Sequence, residues 1–142
     1  MTITKKRCEW PGNDELMLAY HDNEWGVPVH DDRKHFEFLV LDAFQAGLSW
    51  SITLKKRENF RKAFDNFEPA KIARYREARI QRLLNDPGII RNKLKIRSTV
   101  SNAKAFLEIQ KEFGSFDKFI WQFTGGKQKI NKWKKLNEIP AT

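Results

Sequence analysis

Apolar residues recur every three to four positions along most of the chain. From Asp32 onward, Phe36, Leu39, Val40, Ala43, Phe44 and Gly47 share one helical face, and Asp31 or Asp32 can cap its start. Further helices are predicted over residues 51–64, over 69–76 with Pro69 at a first-turn position, and over 77–84. Ile90, Leu94, Ile96, Val100, Ala103 and Leu107 form a long stripe that predicts one helix up to Gly114, and a last helix covers 116–123. Residues 8–30 break the rhythm. Trp10-Pro11-Gly12-Asn13-Asp14 and Trp25-Gly26-Val27-Pro28 read as loop, with a short helix over 15–20 between them. Alternation of β-branched residues is nearly absent, so the fold class is all-α.

Composition narrows the picture. With 142 residues, 40% hydrophobic and 13% aromatic, the chain can build a core and is not a disordered polymer. The single Cys excludes an intrachain disulfide framework and points to a reducing compartment. No apolar run is long enough to span a bilayer, and MTITKKRCEW lacks the apolar stretch of a secretory signal. The net charge of +9 is unevenly placed. Residues 1–71 carry 11 basic and 12 acidic side chains, whereas residues 72–142 carry 16 and 6. Such asymmetry suits a polyanion, nucleic acid before anionic membrane.

Residues 80–91, Ile80 to Arg91, read as two helices joined by a very tight turn. Gly88 permits the turn backbone, and the next helix would begin with free N–H groups and a positive dipole end that suit a phosphate. Arg91, Lys93, Lys95 and Arg97 follow at once. The segment resembles a helix-hairpin-helix element, which grips a DNA backbone without reading bases. Ile90 stands where the wider superfamily has a second glycine. An ordinary corner between two helices is the alternative.

Trp10, Tyr20, Trp25 and Trp50 lie among polar residues rather than on apolar stripes. They can be lids over a core. They can also replace the stacking that a base loses when it leaves a duplex, and stabilise it further if it is cationic. Asp42 interrupts the apolar face of its helix, where a carboxylate is costly without partners. It is either a structural hydrogen-bond acceptor or an acceptor for a base's amino group. Cys8 and His21 are the N-terminal metal-donor types, 13 residues apart.

Four ordered motifs carry a family resemblance: His21-Asp22-Asn23-Glu24-Trp25-Gly26-Val27-Pro28, Gln45-Ala46-Gly47-Leu48-Ser49-Trp50, Lys55-Lys56-Arg57-Glu58-Asn59 and Gly88-Ile89-Ile90-Arg91. Together they resemble the DNA-3-methyladenine glycosylase I family, bacterial and all-helical, within the helix-hairpin-helix glycosylases. The similarity runs from Arg7 to about Pro140. The resemblance implies a base-excision repair enzyme that hydrolyses the N-glycosidic bond of 3-methyladenine in double-stranded alkylated DNA. It implies that Trp10, Tyr20, Trp25 and Trp50 line the base pocket. Asp42 stands where the family typically has Glu and is the implied catalytic and base-binding carboxylate. Gly47 and Leu48 would meet the opened base stack, with Leu48 as the wedge. Gly88, Ile89, Ile90, Arg91 and Lys93 would hold phosphates.

The same resemblance makes Cys8 and His21 two of four ligands of a structural zinc, completed in the family by a C-terminal His and Cys. Here the sequence stops at Pro140-Ala141-Thr142, so the resemblance implies a missing C-terminal segment and half a zinc site. No cofactor is required for catalysis. Superfamily relatives carry a catalytic Asp in the helix after the hairpin, but residues 106–112 hold only Glu108 and Glu112 as acids, read as surface charges. No motif places a Schiff-base lysine, so hydrolysis without strand cleavage is expected. The subdivision expected within one glycosylase domain is 1–50 for the loop and helix of the pocket, 51–79 for a helical core, 80–113 for the hairpin and 114–142 for a last helix and basic tail. In that tail Lys127, Lys129, Lys132, Lys134 and Lys135 surround Trp133, either as a DNA-facing arm or as a solvated tail. A monomer in a bacterial cytoplasm, with no membrane partner, completes the expectation. A non-catalytic helix-hairpin-helix DNA-binding module, an inactive fragment of the glycosylase or a helical partner of an acidic protein are the alternatives.

Overall fold

The computed structural model describes residues 6–141. Eight α-helices and three short 3₁₀ turns make up its regular structure, and no strand occurs among the described residues. Asp14 starts α1 (Glu15–Asn23) by accepting from the backbone N–H groups of Leu16 and Met17. This helix runs three residues past its expected end, which places His21, Asp22 and Asn23 on it. Asp31, not Asp32, caps α2 (Asp32–Gln45). The Asp32 carboxylate instead accepts from the N–H groups of Phe116 and Asp117 at 2.8 Å each.

The helix expected over 51–64 is two helices, α3 (Trp50–Lys55) and α4 (Arg57–Ala63), meeting at Lys56. A 3₁₀ turn, Asp65–Phe67, follows with all three residues at positive φ, between 48° and 55°. Left-handed backbone costs a non-glycine residue roughly 1–2 kcal/mol. Burial of the Phe67 ring, parallel to Phe64 at 6.3 Å, opposes that cost. The Pro69 helix, α5 (Pro69–Ile72), is a single turn, shorter than expected. α6 (Glu77–Leu84) has its expected limits. α7 (Lys93–Phe113) begins at an Asn92 cap rather than at Ile90, and Gly114 ends it at φ +83°. α8 (Phe116–Trp121) is capped by Ser115.

α7 is the central strut, packed against α2, α5, α6 and α8. Its buried side is Ile96, Val100, Ala103 and Phe106. Leu94 does not belong to it and is 75% exposed, because residues two apart on a helix point to opposite faces. On α2 the buried set is Phe36, Val40, Leu41 and Phe44, while Leu39 faces outward. Phenylalanines join the layers: Phe44 meets Phe60 at 4.8 Å, Phe36 meets Phe106 at 5.1 Å, and Phe106 stacks on Phe116 at 4.3 Å. α8 is held to the front of α2 by polar contacts. Asp117 receives both His30 and His35, at 3.0 and 3.1 Å, and His30 stacks on Trp121. No helix among the described residues is long and apolar enough to cross a membrane.

Candidate functional site

The end of α1 and the start of α3 bring the four tryptophan and tyrosine candidates into one corner. Trp10 meets Trp25 at 5.3 Å and Tyr20 at 6.2 Å, and Tyr20 meets Trp50 at 5.2 Å. The interplanar angles of 53–73° are edge-on or tilted rather than stacked, whereas Trp25 stacks on His21 at 5.4 Å. Trp50 is placed by the Ser49 cap, whose hydroxyl accepts from Ile52 N–H. The buried Trp50 Nε1 has no hydrogen-bond partner among the described residues.

Asp42 projects from the last turns of α2. Among the described residues its carboxylate makes no hydrogen bond or ion pair. The residue remains exposed, yet partial burial pushes its carboxyl above the ordinary range. Its charge reaches Tyr20: burial first, then Asp42, raises the phenol's pKa. The Asp42 carboxylate therefore lies within electrostatic range of Tyr20 in the aromatic corner.

Behind that corner lies a charge cluster that sequence reasoning did not anticipate. Arg57 donates to Glu37 at 2.6 Å and, through both terminal nitrogens, to Glu24 at 2.8 and 2.9 Å. Arg61 also reaches Glu37, and it pairs with Glu58. Burial alone would lower the Arg57 pKa, but the two carboxylates outweigh it and raise it further. Hydrogen bonds from Arg57 hold Glu24 below its usual range. Burial pushes Glu37 up, but Arg57, Lys34 and Arg61 together hold it down. The motif residues Glu24 and Arg57 are thus two ends of one tie between α1 and α4. Their separation in sequence hid it.

The Gln45–Ser49 loop is tightly specified. Leu48 N–H donates to Gln45 carbonyl at 2.7 Å, and Gln45 Nε2 returns a bond to Leu48 carbonyl at 2.8 Å. Gly47 takes φ +78°, which favours glycine, and Leu48 is left exposed at the tip.

The hairpin differs from its expectation in three ways. First, eight residues, 85–92, separate α6 from α7, so no helix starts directly after Gly88. Second, Gly88 is not at positive φ; it is needed for space. A Cβ there would lie 3.2 Å from Asn59 Cβ and 3.0 Å from Asp86 Oδ1. Its N–H is already donated to Asp86 at 2.8 Å. Lys56 and Asn59 clamp the turn by donating to its carbonyls, both of them to Gly88. Third, the four basic residues divide. Lys95 turns inward to the Phe44 and Ala46 carbonyls, and Arg97 pairs with Glu77 at 2.7 Å. Arg91 and Lys93 stay exposed without an ion pair among the described residues. Ile89 is buried and Ile90 half-buried, so their side chains serve the core.

Cys8 and His21 come together: Cys8 N–H points to His21 Nε2 at 3.5 Å, and His21 Nδ1 meets Asp22 at 3.0 Å. No group of three or more metal-donor side chains occurs among the described residues. Two donors do not complete a tetrahedral zinc set. The tail faces this point, with Trp133 and Lys134 closing a groove of about 700 Å³ over Arg7, Cys8, His21 and Trp25. Glu108 and Glu112 are exposed on α7.

Comparison with known proteins agrees with this geometry. The methyladenine glycosylase family matches residues 10–142. DNA-3-methyladenine glycosylase 1 of Escherichia coli (strain K12) is 44% identical over 137 residues, which is 96% of this chain and 73% of that protein. A crystal structure of 3-methyladenine DNA glycosylase I superposes with a TM-score of 0.90 at 47% identity, covering 95% of this chain and 74% of the other. A tyrosine-to-phenylalanine variant of such an enzyme, solved in complex with 3-methyladenine, superposes at 0.91 with 34% identity, covering 96% and 73%. The all-helical fold, the ordered motifs and these matches agree, and the chain belongs to the methyladenine glycosylase family.

Proposed function

We propose that the chain hydrolyses the N-glycosidic bond of 3-methyladenine in alkylated duplex DNA and leaves the strand intact. The observation that carries this reading is the unpartnered Asp42 carboxylate within electrostatic range of Tyr20, whose ring lies in one cluster with Trp10 and Trp50. Methylation at N3 gives the base a positive charge. Aromatic faces and a carboxylate attract that cation and not neutral adenine. Asp42 accepts from the exocyclic amine, being one methylene shorter than the family's usual glutamate. Leu48 fills the gap in the stack, while Arg91, Lys93 and the hairpin backbone hold phosphates.

Much of the barrier is removed by the charge on the base. The C1′–N9 bond breaks and its electron pair neutralises the ring. A water oxygen bonds to C1′ and its proton passes to solvent. The products are neutral 3-methyladenine and an abasic site. No sequence motif places a Schiff-base lysine, which supports hydrolysis alone. The protein works as a monomer, and in longer relatives Cys8 and His21 would supply half of a structural zinc set. Chromatography of bases released from methylated DNA tests the reading. It expects 3-methyladenine with uncut strands; release of 7-methylguanine alone, or β-elimination products, overturns it.

A further inference from the structure

The Lys95 ammonium sits at the meeting point of the two DNA-handling parts. It donates to the Phe44 carbonyl at 2.8 Å and to the Ala46 carbonyl at 2.5 Å. These two carbonyls lie on either side of the point where α2 ends and the Gly47–Leu48 tip begins. The last carbonyls of a helix lack partners and carry partial negative charge. α2 has no basic residue in its own last turn, so Lys95 supplies that cation from about 50 residues away. Lys95 is itself fixed. Its N–H is capped by Asn92 at 3.0 Å, and its carbonyl accepts from Thr99 at 2.8 Å. It shares the first turn of α7 with the exposed Lys93, and the exposed Arg91 lies just before the Asn92 cap. Ala46 N–H meanwhile donates to the Asp42 carbonyl.

We infer that Lys95 is a positioning residue for base extrusion: it ties the Leu48 tip and the turn bearing Asp42 to the phosphate-holding hairpin, and it is not a phosphate contact. Grip on the backbone then fixes where the wedge enters the stack. The inference rests on the glycosylase reading above for its substrate. With two of its three N–H groups committed to carbonyls, Lys95 has little left for a phosphate.

The test uses Lys95→Met and Lys95→Arg in the full chain. The probe is a duplex carrying a stable abasic-site analogue beside 2-aminopurine, whose fluorescence rises when the stack opens. Lys95→Met should lose most of that rise and slow single-turnover release of 3-methyladenine by roughly 10- to 100-fold. Lys95→Arg, able to reach both carbonyls, should restore most of both. Affinity for undamaged duplex and its salt slope should stay as in the parent protein. A slope shallower by about 0.9, with affinity lost uniformly, would show a phosphate contact and overturn the inference. Unchanged fluorescence and release would overturn it as well. Combination with Leu48→Ala guards against a folding defect. If Lys95 acts through the wedge, the double variant is little worse than Leu48→Ala alone, and additive losses sink the idea. Failure of the parent protein to release 3-methyladenine would refute the glycosylase reading, while the fluorescence arm still judges Lys95.

Discussion

Arg57 and Asp42 are charges on neighbouring helices at the same corner, and the fold treats them in opposite ways. Arg57 is 7% exposed and its donors are met by Glu24 and Glu37. Asp42 is left with no partner among the described residues, and burial lifts its pKa. A buried charge with every partner in place is architecture: it holds α1, α2 and α4 together. A half-shielded charge without protein partners carries a cost that protonation or an incoming partner relieves. The two also answer to pH with opposite sign. Glu24 and Glu37 have lowered folded-state pKa values, so their contribution is present at neutral pH and is lost as pH falls through those values, below 4.5. Asp42 has a raised one, so its protonated form favours the folded state at low pH and that benefit is lost as pH rises past it, above 3.8.

The comparison breaks most readily at Arg57. Arg57→Met leaves Glu37 buried with only Arg61 and Lys34 nearby, and should cost about 3–5 kcal/mol in urea unfolding. Pairing it with Glu37→Gln should recover part of that. A loss below about 1 kcal/mol would remove Arg57 from the architectural side. Next in size, Asp42→Asn should slow base release about 100-fold with duplex affinity kept. Its melting temperature at neutral pH should be equal or higher, because the cost of the shielded charge is gone. The parent's kcat/KM should lose activity on the acid side at a pH above the ordinary aspartate value, and the variant should lack that limb. A fall in stability on Asp42→Asn would show a structural partner and reverse the contrast. Smallest is Arg97→Gln. Its pair with Glu77 is exposed, so the thermal melt should not move measurably. A clear drop would mean that surface pairing also carries architecture here.

Helix existence was legible in sequence, since periodicity reports burial directly. α6 kept its limits, and the all-helical class held. Ends were less legible because caps compete locally: Asn92 won the start of α7 from Ile90, and Lys56 split one expected helix in two. The face of α7 was misjudged at Leu94 because an apolar residue on a first turn can be left in water. Trp10, Tyr20, Trp25 and Trp50 were legible as candidates, and the fold brings them together. Lys95 was read with Arg91 and Lys93 as one basic run. Only the third dimension shows that it turns to carbonyls on another helix. Gly88 was singled out for backbone freedom, whereas the approach of Asn59 is what excludes a side chain.

Lys34, Arg57 and Arg61 face Glu24, Glu37 and Glu58, so the six charges sum to zero. The field of such a multipole dies away faster than that of a single ion. At Tyr20, Glu24 and Arg57 act with opposite sign, and after burial Asp42 raises the phenol's pKa most, a local negative charge in a protein of net charge +9. A chain that is basic overall can thus keep one corner locally acidic.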